Sequence, residues 1–450
     1  MLDKFKDLSR GLGHELASRA SATVSKAAHV TDSKTPKKSA SDHHIVALDI
    51  GTEFVKALIG KIADDGTTVE IIGAGRVHQE LSDMQAGAIA DIAKVVANCD
   101  EALNEAEQQA GVSARQAIIG IAGELVKGTT TTVRVARKES SKSIDFSEME
   151  RIIKLVQERA EAKAREQLAM ELGGKDVEVR LVNSALVNIE IDGYPVTNPI
   201  GFQGKEVVVQ LYTAFAPMIH IGALEKTAQE LDLDLLAVAA EPFAVARAVI
   251  GDNPNTSLSA ILMDVGGGTT DIAVVNDGGV QGTKMFGIGG RAYTRSIERE
   301  LNVNFDQAEE LKVGLSSERV PRAKVPAVEL ALGKTVDVWM SGVDLALGEF
   351  DKLDHLPYHM FLCGGGSSLE MLMTALEESD WYRQLPFTRK PVVHRIRPEQ
   401  VVGITDLTGK VNDHTFITAM GLLRVGVDTL NFSDHNNGSI REKIDRMLQV

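Results

Sequence analysis

Residues 261–275 read ILMDVGGGTTDIAVV. An apolar run reaches an aspartate, breaks on three glycines and two threonines, meets a second aspartate and turns apolar again. Short apolar runs bounded by turn signals read as buried strands. The stretch is therefore a buried β-hairpin whose turn carries charge. Glycines let backbone approach a ligand closely, and successive N–H groups in such a turn form an anion nest. Threonine hydroxyls can donate to phosphate oxygens. The carboxylates would repel phosphate unless a cation lay between, and Mg²⁺ is often held through few carboxylates while keeping several waters.

The same plan occurs once more, at IVALDIGTEFVKALI around Asp49. A single Asp-x-Gly hairpin is more often an ordinary tight turn. Two of them about two hundred residues apart indicate a duplicated fold with two related lobes. This pairing makes Asp49, Gly51 and Thr52, with Asp264, Gly266, Gly267, Gly268, Thr269, Thr270 and Asp271, candidates for gripping a nucleotide's phosphates from both sides. Asp49 and Asp264 would hold Mg²⁺ through water. Asp271 either contacts a catalytic water or caps its own hairpin. A third glycine cluster, FLCGGGSSLEML, leads from a strand end through Gly364, Gly365 and Gly366 to Ser367 and a helix. Alone, it is either a plain strand–helix turn or a phosphate or adenosine contact; as the third glycine turn in order it favours the latter. GFQGKEV and GGKD lack the spacing of a Walker loop.

Composition narrows the class. The 450 residues are 44% hydrophobic and 25% charged, with 4% aromatic, the make-up of a globular chain with an aliphatic core. The formal charge of −15 argues against a nucleic-acid partner. Cys99 and Cys363 have no metal or redox spacing, and none of the eleven histidines stands at metal spacing. No apolar run is long enough to cross a bilayer and no signal-peptide core opens the chain, so the expectation is a cytoplasmic protein.

Residues 1–44 stand apart. Eight Lys and Arg against five Asp and Glu leave +3 there and −18 on the remainder. Leu2, Phe5, Leu8, Leu12 and Leu16 form one stripe of a helix from about Leu2 to Ala20, and residues 31–44 read as a linker. Helices are expected from about Ile89 to Gln109, ended by Gly111, and from a capping box at Asp145 and Glu148 to about Leu172. Strands are expected at 129–135, 177–190 and 207–214. Residues 84–205 look like an α/β insertion within a first lobe of 45–83 and 206–250, with a second lobe at 251–432 and a tail at 433–450.

Together these motifs resemble the actin-like ATPase superfamily. LDIGTEFVKALIG and MDVGGGTTDIAVV are similar to its two phosphate motifs. AAEPFAVARAVIG is similar to its first inter-lobe connection, with Glu241 where relatives orient the attacking water. GIGGRAYTRSIERELNVNFDQAEELKV resembles the adenosine-side segment; it contains Gly289 and Gly290, and places Glu309 and Lys312 at the ribose. LCGGGSS resembles the adenosine motif, and FITAMGLLRVG the second connecting helix. Within the superfamily, NEAEQQAGVSARQAIIGIAGELVKG and NPIGFQGKEVVVQLYTAFAP resemble the FtsA family of bacterial cell-division proteins, with the pilus-assembly PilM family as the nearest competitor and a small-molecule kinase further off.

The resemblance implies an α/β, actin-like two-lobed ATPase fold of duplicated ribonuclease-H-like domains with a subdomain inserted in the first lobe. It implies ATP and Mg²⁺ as ligands, catalytic roles for Glu241 and Asp264, and slow or absent hydrolysis. It also implies self-assembly, an FtsZ C-terminal peptide as partner, and a peripheral place on the inner membrane face through an amphipathic terminal helix. The N-terminal stripe is the better anchor, since the C-terminal one (Ile440, Ile444, Met447, Leu448) lacks aromatics; a helix docking a protein partner is the other reading of the same residues. One departure stands out. Glu53 occupies a position where relatives often carry Thr or Ser, and there it either faces away from phosphate or weakens its binding.

Overall fold

The computed structural model describes residues 44–433, apart from 86, 123–125, 172, 175–176, 251–257, 317–318 and 352. The expected N-terminal helix, linker and C-terminal tail lie outside the described residues.

Chain order begins with three strands, β1 (His44–Ile50), β2 (Phe54–Ile62) and β3 (Val69–His78), then a small hairpin of β4 (Met84–Gln85) and β5 (Ala88–Ile89). Helix α1 (Ile92–Ala110) and strand β6 (Gln116–Ile121) follow. Next come β7 (Lys127–Ala136), α2 (Phe146–Glu171), β8 (Val179–Ile191), β9 (Tyr194–Pro195) and β10 (Glu206–Pro217). Helix α3 (Met218–Glu230), strand β11 (Asp234–Ala240) and helix α4 (Glu241–Ile250) lead to the second lobe.

There, β12 (Ala260–Val265), β13 (Thr270–Asn276) and β14 (Gly279–Phe286) precede α5 (Gly290–Leu301), α6 (Phe305–Ser316) and α7 (Val325–Gly348). Strand β15 (His359–Cys363), helix α8 (Glu370–Glu378) and strands β16 (Val392–Arg395) and β17 (Ile404–Asp406) follow, and α9 (Ile417–Ser433) closes the described chain.

Two sheets repeat one design. In the first, the order is β11-β6-β1-β2-β3-β17; β1, β2 and β3 form an antiparallel meander, and β6 and β11 add parallel to β1. In the second, β12, β13 and β14 form the meander, and β15 and β16 add parallel to β12. The strands beside the parallel additions, IVALDI and AILMDV, are near-continuously apolar, as strands covered on both faces must be. Both end on an aspartate at a glycine turn. This is the duplicated, two-lobed architecture that the paired hairpins imply, in the ribonuclease-H-like form that the actin-like resemblance implies.

The lobe boundaries need correction. Residues 84–205 do not form one insertion. Strand β6 lies inside the first sheet, between β1 and β11, and α1 covers that sheet with Val95, Cys99, Ala102, Leu103 and Ala106. The inserted unit instead spans β7, α2, β8, β9 and β10, because β10 pairs with β7 on one side and β8 on the other. Strand β17 and helix α9 also return from the second lobe's range to the first sheet, where β17 pairs with β3. These pairings join segments far apart in the chain, so local pattern does not show them.

Local signals set the element ends. Asp91 caps α1 by accepting from Lys94 N, and Gly111 ends it with φ 68°. Asp145 Oδ1 accepts from Glu148 N at 2.9 Å, but the Glu148 carboxylate does not reach back to complete the box. Arg137 takes it through Nε at 2.7 Å and Nη2 at 2.9 Å, tying α2 to β7.

Candidate functional site

The two glycine turns face each other across a cavity of about 550 Å³. Strands β1 and β2 deliver the first turn. Gly51 N donates to Phe54 O at 3.1 Å, and the hairpin register sets Asp49 directly opposite Lys56. Lys56 Nζ lies 2.8 Å from Asp49 Oδ2. The second hairpin has the same register, with Asp264 opposite Asp271. The duplicated position is thus a lysine in one lobe and an aspartate in the other.

Most of the residues singled out in the sequence converge here. Asp49, Gly51, Thr52, Glu241, Asp264, Gly266, Gly267, Thr269, Asp271, Gly290, Glu309, Lys312, Gly364, Gly365 and Gly366 line the cavity. Glu241, the first residue of α4, reaches in at the crossing between the lobes.

Four candidates do not line it. Thr270 is fully buried; its hydroxyl donates to Ile288 O at 2.7 Å and accepts from Trp339 Nε1 at 2.9 Å. Thr269 ends the turn just before β13 and lines the cavity, whereas Thr270, the first residue of β13, turns its side chain into the core. Ser367 is also buried and donates to Gly364 O at 2.7 Å, which braces the third turn. Gly268 rests against Thr52: a Cβ there would stand 2.8 Å from Thr52 Oγ1. Gly289 packs behind the second turn, where a Cβ would meet Gly266 O at 2.6 Å.

Helix α5 starts on the second turn. Gly290 N donates to Gly266 O at 2.9 Å and Arg291 N to Gly267 O at 2.8 Å. Its first N–H groups therefore hold the loop rather than a ligand. Glu309 and Lys312 act as a pair, 2.7 Å apart, and Lys312 also reaches Gly290 O at 3.0 Å and Thr294 Oγ1 at 2.8 Å.

The sequence reading missed Lys56, Arg76, His78, Arg291, Ser368, Asp413 and Thr415, all of which line the cavity. Thr418 on α9 donates to Asp264 Oδ2. Lys56 was legible in principle: a hairpin with its turn at 51–54 must place residue 56 beside residue 49. Asp413, Thr415 and Thr418 arrive from a segment that only the tertiary fold brings near.

The electrostatics are strongly one-sided. Burial, then the charges of Asp49, Asp271 and Asp264, push the Glu241 carboxyl well above its usual range. Burial likewise raises Asp264, against the Thr418 hydrogen bond and Lys56. Asp271 is pushed up to about 7 by burial and by Asp264, although Thr269 Oγ1 donates to it at 3.0 Å. Burial opposes the charge on Lys56, but Asp49 and Asp264 outweigh it and raise the ammonium.

A divalent cation fits this donor set. It consists of oxygens short of positive charge, and the glycine cradle leaves room: a Cβ on Gly364, whose φ is 78°, would lie 2.0 Å from Asp264 Oδ1. Among the described residues no group of three His, Cys, Asp or Glu is placed to hold a metal directly.

Known proteins resemble this chain in sequence and in fold. The family model for cell division protein FtsA matches residues 261–421, the stretch that runs from the second hairpin to the second connecting helix. The chain is similar in sequence to FtsA proteins along most of its length. The Pseudomonas aeruginosa FtsA is 27% identical over 403 residues, covering 85% of this chain and 89% of its own length. The Neisseria meningitidis FtsA is 25% identical, covering 89% and 94%. Among solved structures, a PilM–PilN type IV pilus biogenesis complex superposes with a TM-score of 0.60 at 17% identity, over 85% of this chain and 98% of that one, which is a likeness of fold. The actin-like fold expected from the motifs is thus the fold observed, and FtsA relatives span most of the chain.

Proposed function

We propose that this chain is an actin-like protein of cell division that binds ATP with Mg²⁺ between its lobes, assembles with copies of itself and links an FtsZ ring to the membrane surface. The single observation behind the nucleotide reading is the convergence of two duplicated Asp–Gly hairpins and the Gly364–Gly366 turn on one carboxylate-rich cavity. The division role follows from the FtsA relatives.

In this reading, the Thr52 hydroxyl and the N–H groups of Thr52, Gly267 and Thr269 bind phosphate oxygens, while the Gly51 and Gly266 N–H groups close their own turns onto Phe54 O and Thr269 O and so shape the cradle. Lys56 adds positive charge beside them. Asp49 and Asp264 would hold Mg²⁺ through its water. When bound, Mg²⁺ supplies the charge that lets phosphates lie among carboxylates. Glu241, at the crossing of the lobes, orients the attacking water, with Asp271 across the cleft. Gly290, Glu309, Lys312 and the Gly364–Gly366 turn hold the adenosine side. Closure of the lobes on ATP changes the surfaces that meet neighbouring subunits, and differential affinity for open and closed states suffices for switching without fast hydrolysis.

Among the described residues no helix is long and apolar enough to cross a membrane. The Leu2, Phe5, Leu8, Leu12 and Leu16 stripe in the sequence and the FtsA resemblance support membrane contact through residues 2–20, with the protein peripheral on the inner face. Co-sedimentation with anionic vesicles should fall on deletion of residues 1–30; undiminished pelleting would refute N-terminal anchoring.

Calorimetric titration of ATP with Mg²⁺ tests the nucleotide site. Asp264→Asn should abolish Mg²⁺-dependent binding, and unaltered affinity would reject the assignment. A PilM-like pilus adaptor is the second reading, favoured by the 0.60 superposition. Binding of an FtsZ C-terminal peptide supports the first reading. Binding instead of a short tail from a pilus membrane protein would support the second.

A further inference from the structure

Glu53, the residue that departs from the pattern of the first turn, does not point at the phosphate position. Its Oε2 lies 2.7 Å from Arg291 Nε on the second lobe, and its Oε1 lies 2.9 Å from His78 Nε2. Arg291 is the second residue of α5, and its own N–H donates to Gly267 O. One residue is thus bound through its backbone to the second phosphate turn and through its side chain to the first.

We propose that Glu53 and Arg291 are positioning residues for the phosphate end of the cleft, clamping the first turn onto the second so that nucleotide release requires the pair to part. The functional meaning rests on the nucleotide reading above; the contact itself does not.

Three further observations carry the clamp. The turns touch through small atoms: a Cβ on Gly267 would stand 2.8 Å from Glu53 Cβ and 3.2 Å from Glu53 N. Bulkier residues at 267 or 268 would hold the turns apart. Behind Glu53, the fully buried Gln79 fixes the first turn. Its N–H donates to Glu53 O at 2.9 Å and its amide Nε2 to Gly51 O at 2.6 Å, while Asn98 Nδ2 donates to Gln79 Oε1 at 3.2 Å. Arg291 Nη2 also reaches Gln79 O at 3.4 Å. The clamp therefore grips a braced loop. Finally, both partners are substantially shielded: the Arg291 side chain is 12% exposed and that of Glu53 21%. A charge-assisted pair of that kind is stronger than an exposed one, and losing one partner acts chiefly on the off-rate.

The test uses the full chain and a fluorescent ATP analogue with Mg²⁺. Glu53→Gln and Arg291→Gln should each speed release of the analogue by about tenfold. The charge-swapped double variant, Glu53→Arg with Arg291→Glu, should recover part of the loss. Nitroxides at the exposed positions of Gln85→Cys and Arg299→Cys report the separation of the lobes by pulsed electron resonance, before any nucleotide is added. Glu53→Gln should broaden and lengthen that distance distribution. Release rates and distances equal to wild type in folded single variants would overturn the clamp. If Arg291→Gln fails to fold, Glu53→Gln carries the same two readouts. If the wild type binds no nucleotide, the nucleotide reading fails while the distance measurement still decides whether the turns are clamped.

Discussion

At the scale of the residue, the duplication is informative because it is imperfect. Equivalent hairpin positions hold Lys56 opposite Asp49 and Asp271 opposite Asp264. The second hairpin therefore concentrates negative charge that the first partly neutralises. For Asp271 the sign is definite. Its folded value of about 7 exceeds the 3.8 of an ordinary aspartate, so the native state retains a proton that the unfolded chain releases. Stability falls as pH rises from about 4 through about 7 and stays reduced above. Asp271→Asn should raise the Tm of nucleotide-free protein at pH 8 by about 1–3 °C, with a smaller gain near pH 5. A calorimetric scan at both pH values checks this, and an equal shift at the two would contradict it. Asp264→Asn should likewise leave nucleotide-free protein at least as stable as wild type while abolishing the Mg²⁺-dependent gain. The thiols are the opposite case. Burial pushes Cys99 and Cys363 far above the reactive range, so a thiol reagent should label neither in the native protein, and both after unfolding.

At the scale of the element, the two connecting helices α4 and α9 decide how the lobes join. They cross where Gly421 meets Ala244: a Cβ on Gly421 would lie 2.2 Å from Ala244 O. Beyond the crossing, Arg247 Nη2 reaches Asp428 Oδ2 at 2.8 Å, and Arg424 Nη2 reaches Asp428 Oδ1 at 3.0 Å. Two largely buried arginines thus share one carboxylate and bind the helices together. Gly421→Val should cost about 3 kcal/mol by forcing the helices apart, measured by denaturant midpoint. A value near zero would mean that the crossing relaxes freely. The glycines and alanines of AAEPFAVARAVIG and FITAMGLLRVG were visible in the sequence as helix-like segments. Their mutual contact was not, because nearly two hundred residues separate them.

At the scale of the whole molecule, the cleft draws on both sheets and both connecting helices, so a ligand bound there stabilises every part at once. At a hundred times its dissociation constant, such a ligand adds about 2.7 kcal/mol. ATP with Mg²⁺ should then raise Tm by about 3 °C, and ATP with a chelator by much less. Equal shifts with and without Mg²⁺ would remove the cation from the site. The inserted unit is also bound into this whole. Its β7 touches β14 of the second lobe, with Gly282 paired to Thr129, and Tyr212 Oη lies 3.3 Å from Thr283 Oγ1. The second lobe's sheet and the insertion's sheet are therefore one nine-stranded sheet, a continuity that alternating apolar patterns cannot specify, since any strand edge presents the same backbone groups.

The sequence alone determined the two hairpins, the glycine turns and the helix ends at Gly111 and Asp145, and it singled out most of the residues that line the cavity. Each of these depends on local backbone freedom, local capping or the side-chain chemistry of a few adjacent positions. Tertiary structure decided which residues face the cavity and which face the core, as with Thr269 against Thr270. It also placed β6, β17 and α9 in the first lobe, and brought Thr418 to Asp264 and Arg291 to Glu53. Those outcomes depend on which distant segments pack together. The identity of Glu53 is fixed in the sequence, but its meaning comes from a partner 238 residues away, found only when two lobes close on each other.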